Sequence, residues 1–291
     1  LKRNIKLYFK DKTLFFTSLI TPLILIVLFL TFLGDIYKST LLRELPSGLI
    51  LSDSVINAFT GGWLFSSIVS VSCVTVAFCS NLMVADKISK TNLDFALTTV
   101  KKSTLNFSYT VANFLTTFII CGIAFAISMI YLAIVGFYLS LLDILMILAV
   151  MIISILIGCL LASIVGFFLS TQGGLSGVCT LVSSLYGFVS GAYMPISQFA
   201  TGMQYVLSFN PGTYATVLLR QGYMNGVLNE MSGTLNNPTL ITEIRKTFDG
   251  TFYFFGTEVS TLTMFVVTIS TVIVLAGVYF LLSYKKSRAT R

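Results

Sequence analysis

Histidine is absent from the 291-residue sequence, and charged residues make up only 10% of it. The commonest metal ligand and the usual proton carrier near neutral pH are therefore missing, which excludes Ser/His/Asp and Cys/His catalytic sets. No Gly-x-x-x-x-Gly-Lys-Ser/Thr segment occurs, so this chain has no phosphate-binding loop for ATP. The apolar stretches contain no pair of carboxylates. We predict no catalytic residue, no metal site and no cofactor on this chain.

Cysteines are few, and every one of them falls inside an apolar run. Thiols in such surroundings are typical of small core residues rather than of disulfides or metal ligands. The five are Cys73, Cys79, Cys121, Cys159 and Cys179.

Apolar residues dominate the sequence. Hydrophobic residues account for 56% of the chain and the mean hydropathy is +0.92, values unlike those of a soluble domain. A transmembrane helix needs about 20 apolar residues in succession. We predict an all-α integral membrane protein with six transmembrane helices. The predicted spans are about Leu14–Gly34, Val55–Ser80, Tyr109–Gly136, Leu141–Leu169, Leu175–Val189 and Val259–Tyr284.

The basic residues predict the orientation. Residues 1–13 alternate basic and apolar side chains, as expected of an amphipathic helix on the inner membrane surface. This segment, residues 81–108 and the tail after Tyr284 together hold 13 of the 18 Lys and Arg. By the positive-inside rule we expect a multi-pass protein of the plasma membrane with both termini in the cytoplasm. The net charge of +7 is then explained by the membrane and not by a nucleic-acid partner.

A short segment after the fifth predicted span is too brief to cross a bilayer. Gly191 and Pro195 are expected to stop the preceding helix, and Asn210-Pro211 marks the next break. About a dozen residues lie between these breaks, fewer than a span requires. We predict a re-entrant outer element between helices 5 and 6, within an extracellular region covering residues 194–258.

Three residues near this element have candidate roles. Arg220 is either an exposed or snorkelling charge, or a structural anchor that binds a carbonyl of the re-entrant segment. Tyr193 and Tyr214 are typical of an interfacial aromatic belt.

Small residues recur at helical spacing in two of the spans. Ser66 and Ser70 share one helix face, and further four-residue spacings involve Gly173, Gly177 and Gly187. Such positions favour close helix packing, and a mildly polar cavity wall is the alternative.

The loop between spans two and three, residues 82–108, is a candidate partner-binding element. Its charges surround Leu93 and Leu97, which are four residues apart and indicate a short amphipathic helix that fits a groove on another protein. A solvated connector is the alternative. The candidate residues for coupling this chain to such a partner are Asp86, Lys87, Lys90, Thr91, Leu93, Asp94 and Leu97.

The spans themselves are nearly free of ionisable groups, which argues against a proton- or sodium-driven carrier. Any energy source should therefore belong to a partner.

Three features resemble the membrane subunit of ABC-2 type ABC transporters over the whole chain. They are the basic segment before span one, the inner loop from Asp86 to Val100, and Gly191-x-Tyr193-Met194-Pro195 followed by Asn210-Pro211-x-Thr213-Tyr214 and Arg220. The inner loop departs from the family pattern at Asn92, where glycine is usual, and at Thr99, where proline is common.

The resemblance implies a single transmembrane domain over residues 1–291 and a bacterial exporter. Its partners would be two cytosolic ATPase subunits that carry ATP and Mg, and a second permease copy or paralogue. Because the spans hold so few charges, we expect hydrophobic or amphiphilic cargo such as a drug, lipid-like molecule, lipopeptide or toxin. A non-transporting membrane scaffold or sensor is the alternative class, and a channel is a third.

Overall fold

In the computed structural model, the described residues are 1–46, 51–91, 95, 100, 102–235 and 237–288, and most of them are helical. The chain begins with α1 (Lys2–Lys10) and α2 (Lys12–Leu28), continues through a π-helical turn (Phe29–Leu33), and then enters α3 (Gly34–Glu44). The first predicted span ends at about Gly34. This boundary is wrong, because Tyr37 and Leu41 lie one turn apart and are both buried, so tertiary contacts extend the helix.

Helix α4 (Asp53–Cys79) forms the centre of the bundle. It is buried along nearly its whole length and packs against α2 and four later helices. The chain then forms α5 (Leu82–Ile88), α6 (Lys102–Val135), α7 (Leu141–Phe168) and α8 (Gln172–Val189). Ser140 and Asp143 cap the start of α7 reciprocally, which fixes the turn after α6.

The remaining chain is folded and not an extended polar loop. It contains a 3₁₀ turn (Ile196–Gln198), α9 (Thr201–Leu207), α10 (Pro211–Leu235), α11 (Pro238–Thr247) and α12 (Thr261–Arg288). Strands β1 (Phe252–Phe254) and β2 (Thr257–Val259) form an antiparallel hairpin in which Tyr253 faces Glu258.

Helix α10 extends the folded core beyond the predicted spans. It belongs to the region 194–258 that the sequence predicts to be extracellular, and residues 212–220 are all buried between α4, α7 and α12. Its polar side chains bond within the protein; the Thr216 and Ser70 hydroxyls, for example, lie 2.6 Å apart. Gly226 packs against the Tyr138 backbone, where no side chain would fit.

Within the described part of the chain, five helical stretches are long and apolar enough to cross a membrane. They are Ser18–Glu44, Asp53–Ile88, Lys102–Val135, Leu141–Phe168 and Thr261–Lys285. The predicted fifth span corresponds to α8, which has 18 residues and is not among these stretches. The all-α membrane class is therefore confirmed, and the sixth span stays a prediction.

The two ends of the bundle differ in the elements they contain. Helices α1 and α5 and the start of α8 lie at one end, the α1 end. At the other, the Ser140 end, α6 turns into α7.

Candidate functional site

The chain reverses direction directly after α8. Gly191 has a φ of +72°, in the left-handed region that favours glycine. The N–H groups of Gly191 and Ala192 donate to the carbonyls of Phe188 and Gly187 at 3.1 and 2.8 Å. This pair of hydrogen bonds is a Schellman ending, in which a glycine terminates a helix. The helix therefore ends where the glycine was predicted to end it.

Asn210 brings the chain back to the end of α8. Its Nδ2 donates to the Val189 carbonyl at 3.2 Å, and the Thr213 hydroxyl donates to the same carbonyl at 3.3 Å. Pro211 begins α10, where its missing N–H costs no helical hydrogen bond. Pro195 precedes the 3₁₀ turn. Residues 190–210 thus form a compact turn that starts and finishes beside Val189.

Arg220 lies at the centre of this turn and has no solvent exposure. One terminal nitrogen donates to Asp249 Oδ2 at 3.1 Å, and the other donates to the Gly191 carbonyl at 2.5 Å and to Ser67 Oγ at 3.3 Å. The guanidinium also lies 4.4 Å from the Trp63 ring centre, which is a cation–π contact. Arg220 is therefore not an exposed charge. Its hydrogen bond to the Gly191 carbonyl joins α10 to the preceding turn.

Asp249 completes the cluster from the loop after α11. Besides Arg220, its carboxylate accepts the backbone N–H groups of Ile196 and Ser197. Burial raises the pKa of the Asp249 carboxyl above its ordinary value, although Arg220 and these backbone donors oppose the shift. One carboxylate thereby holds α10, the 3₁₀ turn and the loop before β1 together.

Aromatic residues of α3 and α4 enclose this cluster. Trp63 Nε1 donates to the Phe248 carbonyl at 2.9 Å, and Tyr37 donates to the Tyr193 carbonyl at 3.0 Å. The Tyr37 and Trp63 rings are 4.1 Å apart. Tyr214 is buried against the Phe252 ring.

Sequence reasoning missed Asp249, Trp63 and Tyr37. A charge-pairing argument would have required an acidic partner for Arg220, but it could not have chosen among the acidic residues of the outer segments. The single tryptophan was the other available signal.

A cavity of about 920 Å³ lies beside the Arg220 cluster. Helices α2, α3, α4 and α8 and the turn after α8 form its walls. Among its described lining residues none is charged, and apolar side chains predominate. Its polar members include Tyr37, Ser67, Thr180, Ser183, Ser184 and Gln198. Such a lining suits an uncharged or weakly polar molecule.

At the α1 end, Asp86 joins three helices. Arg3 Nη1 lies 2.7 Å from Asp86 Oδ2, and its second nitrogen donates to Oδ1 at 3.2 Å. The Tyr109 hydroxyl of α6 donates to the same carboxylate. Hydrogen bonding to Asp86 is the largest cause of a raised Arg3 pKa. Lys87 donates to the Gly166 carbonyl at 2.5 Å, which holds α5 against the end of α7.

Of the other predicted coupling residues, the structure describes Lys90 and Thr91. Lys90 has a φ of +61°, and the Thr91 hydroxyl lies 2.9 Å from that of Ser89. Leu93, Asp94 and Leu97 lie outside the described residues.

The small residues singled out from the sequence have different surroundings. Ser66 bonds to the Trp63 carbonyl of its own helix, while Ser70 contacts α10 through Thr216. Gly187 packs under the Tyr193 ring. Gly173 and Gly177 have open space where a side chain would extend, so they make no close helix contact with the part of the chain that the structure describes.

The fold defines a multi-pass helical membrane protein. The family model for the ABC-2 type transporter matches residues 1–224, more than half of the sequence, so the chain belongs to the ABC-2 type transporter family. This family is the transmembrane component of an ABC transporter and not its ATPase. No curated protein and no solved structure matches the chain.

Proposed function

We propose that this chain is the permease subunit of a bacterial ABC exporter that moves a hydrophobic or amphiphilic molecule out of the cell. Two cytosolic ATPase subunits supply ATP, Mg and the energy of hydrolysis, and a second permease copy or paralogue completes the complex. The observation that carries the cargo class is the uncharged cavity between α2, α3, α4 and α8. A charged cargo would lose its hydration there without gaining an opposite charge.

The proposal includes six membrane helices, with α8 as the fifth, and a plasma-membrane protein with both termini in the cytoplasm. Helix α8 starts at the α1 end and its 18 residues rise about 27 Å, slightly less than a hydrocarbon core of about 30 Å. The chain then turns, and α10 continues from Val189 towards Tyr138 at the Ser140 end. Residues 190–210 would then turn at membrane depth. Irregular backbone is tolerated there only when protein encloses it, as Arg220 and Asp249 do.

Coupling to the ATPase is proposed to occur at the α1 end. Helix α1 and α5 are joined by Arg3 and Asp86, and Tyr109 connects this pair to α6. A partner that pulls residues 82–108 would therefore move α1 and α6 together. The predicted contact residues Leu93 and Leu97 belong to this segment.

The test is reconstitution with the ATPase. We expect a chain carrying a phosphate-binding loop to co-purify with this protein, and the complex in lipid vesicles to move a hydrophobic fluorescent dye only when ATP is present. Absence of an ATPase partner, or dye movement independent of ATP, would contradict the proposal and favour a scaffold or a channel.

A charge in the cavity tests the transport path. Ser184 is exposed on α8 and lines the cavity, and Ser184→Glu should lower ATP-driven dye movement by about tenfold or more, equivalent to about 1.4 kcal/mol. Ser176 is also exposed on α8 but does not line the cavity, so Ser176→Glu is the matched control. Equal rates for the two variants would show that cargo does not use this cavity.

A further inference from the structure

Two cysteines differ from the other three in their surroundings. Cys73, Cys121 and Cys159 are buried in the bundle, whereas Cys79 and Cys179 are only partly buried. Both of the partly buried residues line the cavity described above. They come from different helices, since Cys79 ends α4 and Cys179 is on α8.

The two thiols lie side by side at the junction of α4 and α8. Cys179 Sγ donates to the carbonyl of Phe78, the residue that precedes Cys79, at 3.5 Å. Cys79 is the neighbour that acts most strongly on the Cys179 thiol, and Cys179 and Ser183 are the neighbours that act on the Cys79 thiol. Ser183 follows Cys179 by four residues and therefore lies on the same face of α8. The side chain of Cys79 thus faces these two positions of α8.

We propose that Cys79 and Cys179 are a reversible disulfide-forming pair on the cavity wall, whose oxidation fixes α8 to α4. The oxidant is a small, apolar, uncharged disulfide of the kind that the cavity would admit. One cysteine thiolate attacks this disulfide, releases the first small thiolate and forms a mixed disulfide. The second cysteine thiolate attacks the protein sulfur and releases the second small thiolate. The two protons lost by the cysteines balance the charges of the two released thiolates.

Two properties distinguish Cys79 and Cys179 from the other cysteines: both are accessible from the cavity, and they are adjacent to each other. Cys73 and Cys121 also lie close to each other, but both have no solvent exposure and neither lines the cavity. The chain therefore contains a second thiol pair with the same chemistry and no route for the reagent. Reactivity of thiols depends on such access as well as on their chemistry.

The consequence for transport rests on the proposed function. Helix α8 forms one wall of the cavity and leads into the turn held by Arg220. A covalent bond from α8 to α4 would prevent this wall from moving, so oxidation should stop transport until a reductant is added.

The first experiment needs neither ATPase nor cargo. The full-length protein in lipid nanodiscs is treated with dipyridyl disulfide, and the released pyridinethione is counted while peptides are mapped by mass spectrometry. We expect two thiones per chain and a peptide containing Cys79 joined to one containing Cys179, reversed by reductant. Cys79→Ser and Cys179→Ser should each release one thione and keep a pyridylthio group on the remaining cysteine. Cys121→Ser is the matched control and should behave as the wild type.

Several results would overturn the proposal. These are separate adducts on Cys79 and Cys179 without a crosslink in the wild type, a crosslink between Cys73 and Cys121 instead, or a bond between two chains. Failure of the transport proposal would leave these results unaffected, because they are measured on the chain alone.

The second experiment compares ATP-driven dye movement before oxidation, after it, and after reduction. The wild type should lose transport and recover it, while the protein carrying both Cys79→Ser and Cys179→Ser, which forms neither the crosslink nor an adduct in the cavity, should show the same rate in all three states, whatever that rate is. A complete crosslink that leaves wild-type transport unchanged would overturn the claim that α8 must move.

Discussion

Arg220 is a fully buried cation, and a buried charge is tolerated only where it is paired and hydrogen-bonded, as both terminal nitrogens of Arg220 are. Asp249 supplies the charge, the Gly191 carbonyl and Ser67 accept hydrogen bonds, and Trp63 covers the guanidinium plane. Because these partners come from α4, from the turn after α8 and from the loop after α11, the cluster holds the turn after α8 in one conformation.

Removal of one partner should therefore be costly. Asp249→Ala leaves the guanidinium buried without a counter-charge, and we expect it to lower the free energy of unfolding by about 3–5 kcal/mol, measured in mixed micelles. Glu243→Ala is the matched control, since this acid is exposed on α11 and should change stability by about 0.5 kcal/mol or less. The double change Arg220→Met with Asp249→Asn should recover part of the loss, because no unpaired charge remains and the asparagine side-chain oxygen can still accept from the backbone of Ile196 and Ser197. Equal stability of the Asp249→Ala and Glu243→Ala proteins would refute the role of the ion pair.

Gly191 provides a second prediction at this scale. A side chain there would adopt a left-handed backbone, and its Cβ would lie 2.6 Å from an Ile196 side-chain carbon. We expect Gly191→Ala to lower the free energy of unfolding by about 1–3 kcal/mol. Gly202→Ala is the control, because this glycine is inside α9 with open space around it and alanine favours helices. The expectation is wrong if Gly191→Ala is as stable as Gly202→Ala.

At the scale of elements, α1 is attached to the bundle chiefly by polar contacts. Arg3 pairs with Asp86, and Asn4 and Tyr8 are its buried residues. A short basic helix held in this way can follow a movement of α5 without unfolding the spans. The Asp86 carboxylate is the shared point, because α1 and α6 both donate to it.

Asp86→Asn should loosen α1. The substitution removes the charge that pairs with a partly exposed Arg3, an interaction worth about 1 kcal/mol. Backbone amides of residues 2–10 should then exchange hydrogen about fivefold faster, as measured by mass spectrometry. Asp35→Asn on α3 is the control, because Asp35 is exposed and far along the chain from α1. Unchanged exchange in Asp86→Asn would show that α1 is held by its other contacts.

At the scale of the whole molecule, the structure separates two exposed serines widely. Ser89 follows α5 at the α1 end, and Ser232 lies on the last turn of α10, beyond the contact of Gly226 with Tyr138. The distribution of Lys and Arg predicts that the α1 end is cytoplasmic.

Single cysteines can test this orientation. In a background without the five native cysteines, Ser232→Cys should react with an impermeant thiol reagent added to intact cells, and Ser89→Cys should react only after the cells are opened. Both positions are exposed in the structure, so a difference in labelling reports the side of the membrane. Labelling of Ser89→Cys but not of Ser232→Cys from outside would reverse the topology.

The sequence by itself determined the class of the protein and the position of most helices. Long apolar runs and a bias of basic residues are local properties, so α4, α7 and α12 could be predicted within a few residues of their observed bounds, whereas α6 begins at Lys102, two turns before the predicted Tyr109. The end of α8 was predictable for the same reason, since a glycine's backbone freedom depends on no distant residue.

Only the tertiary structure decided how these parts meet. The helical path from Gly34 to Glu44, the burial of α10, the choice of Asp249 as the partner of Arg220, and the contact of Cys79 with Cys179 all depend on residues far apart in the chain. A polar helix such as α10 looks solvent-exposed in sequence because its hydrogen-bond partners are not its neighbours. Its polar groups become acceptable in a core only when the fold supplies Ser70, Asp249 and the Gly191 carbonyl, which is why composition alone could not place it.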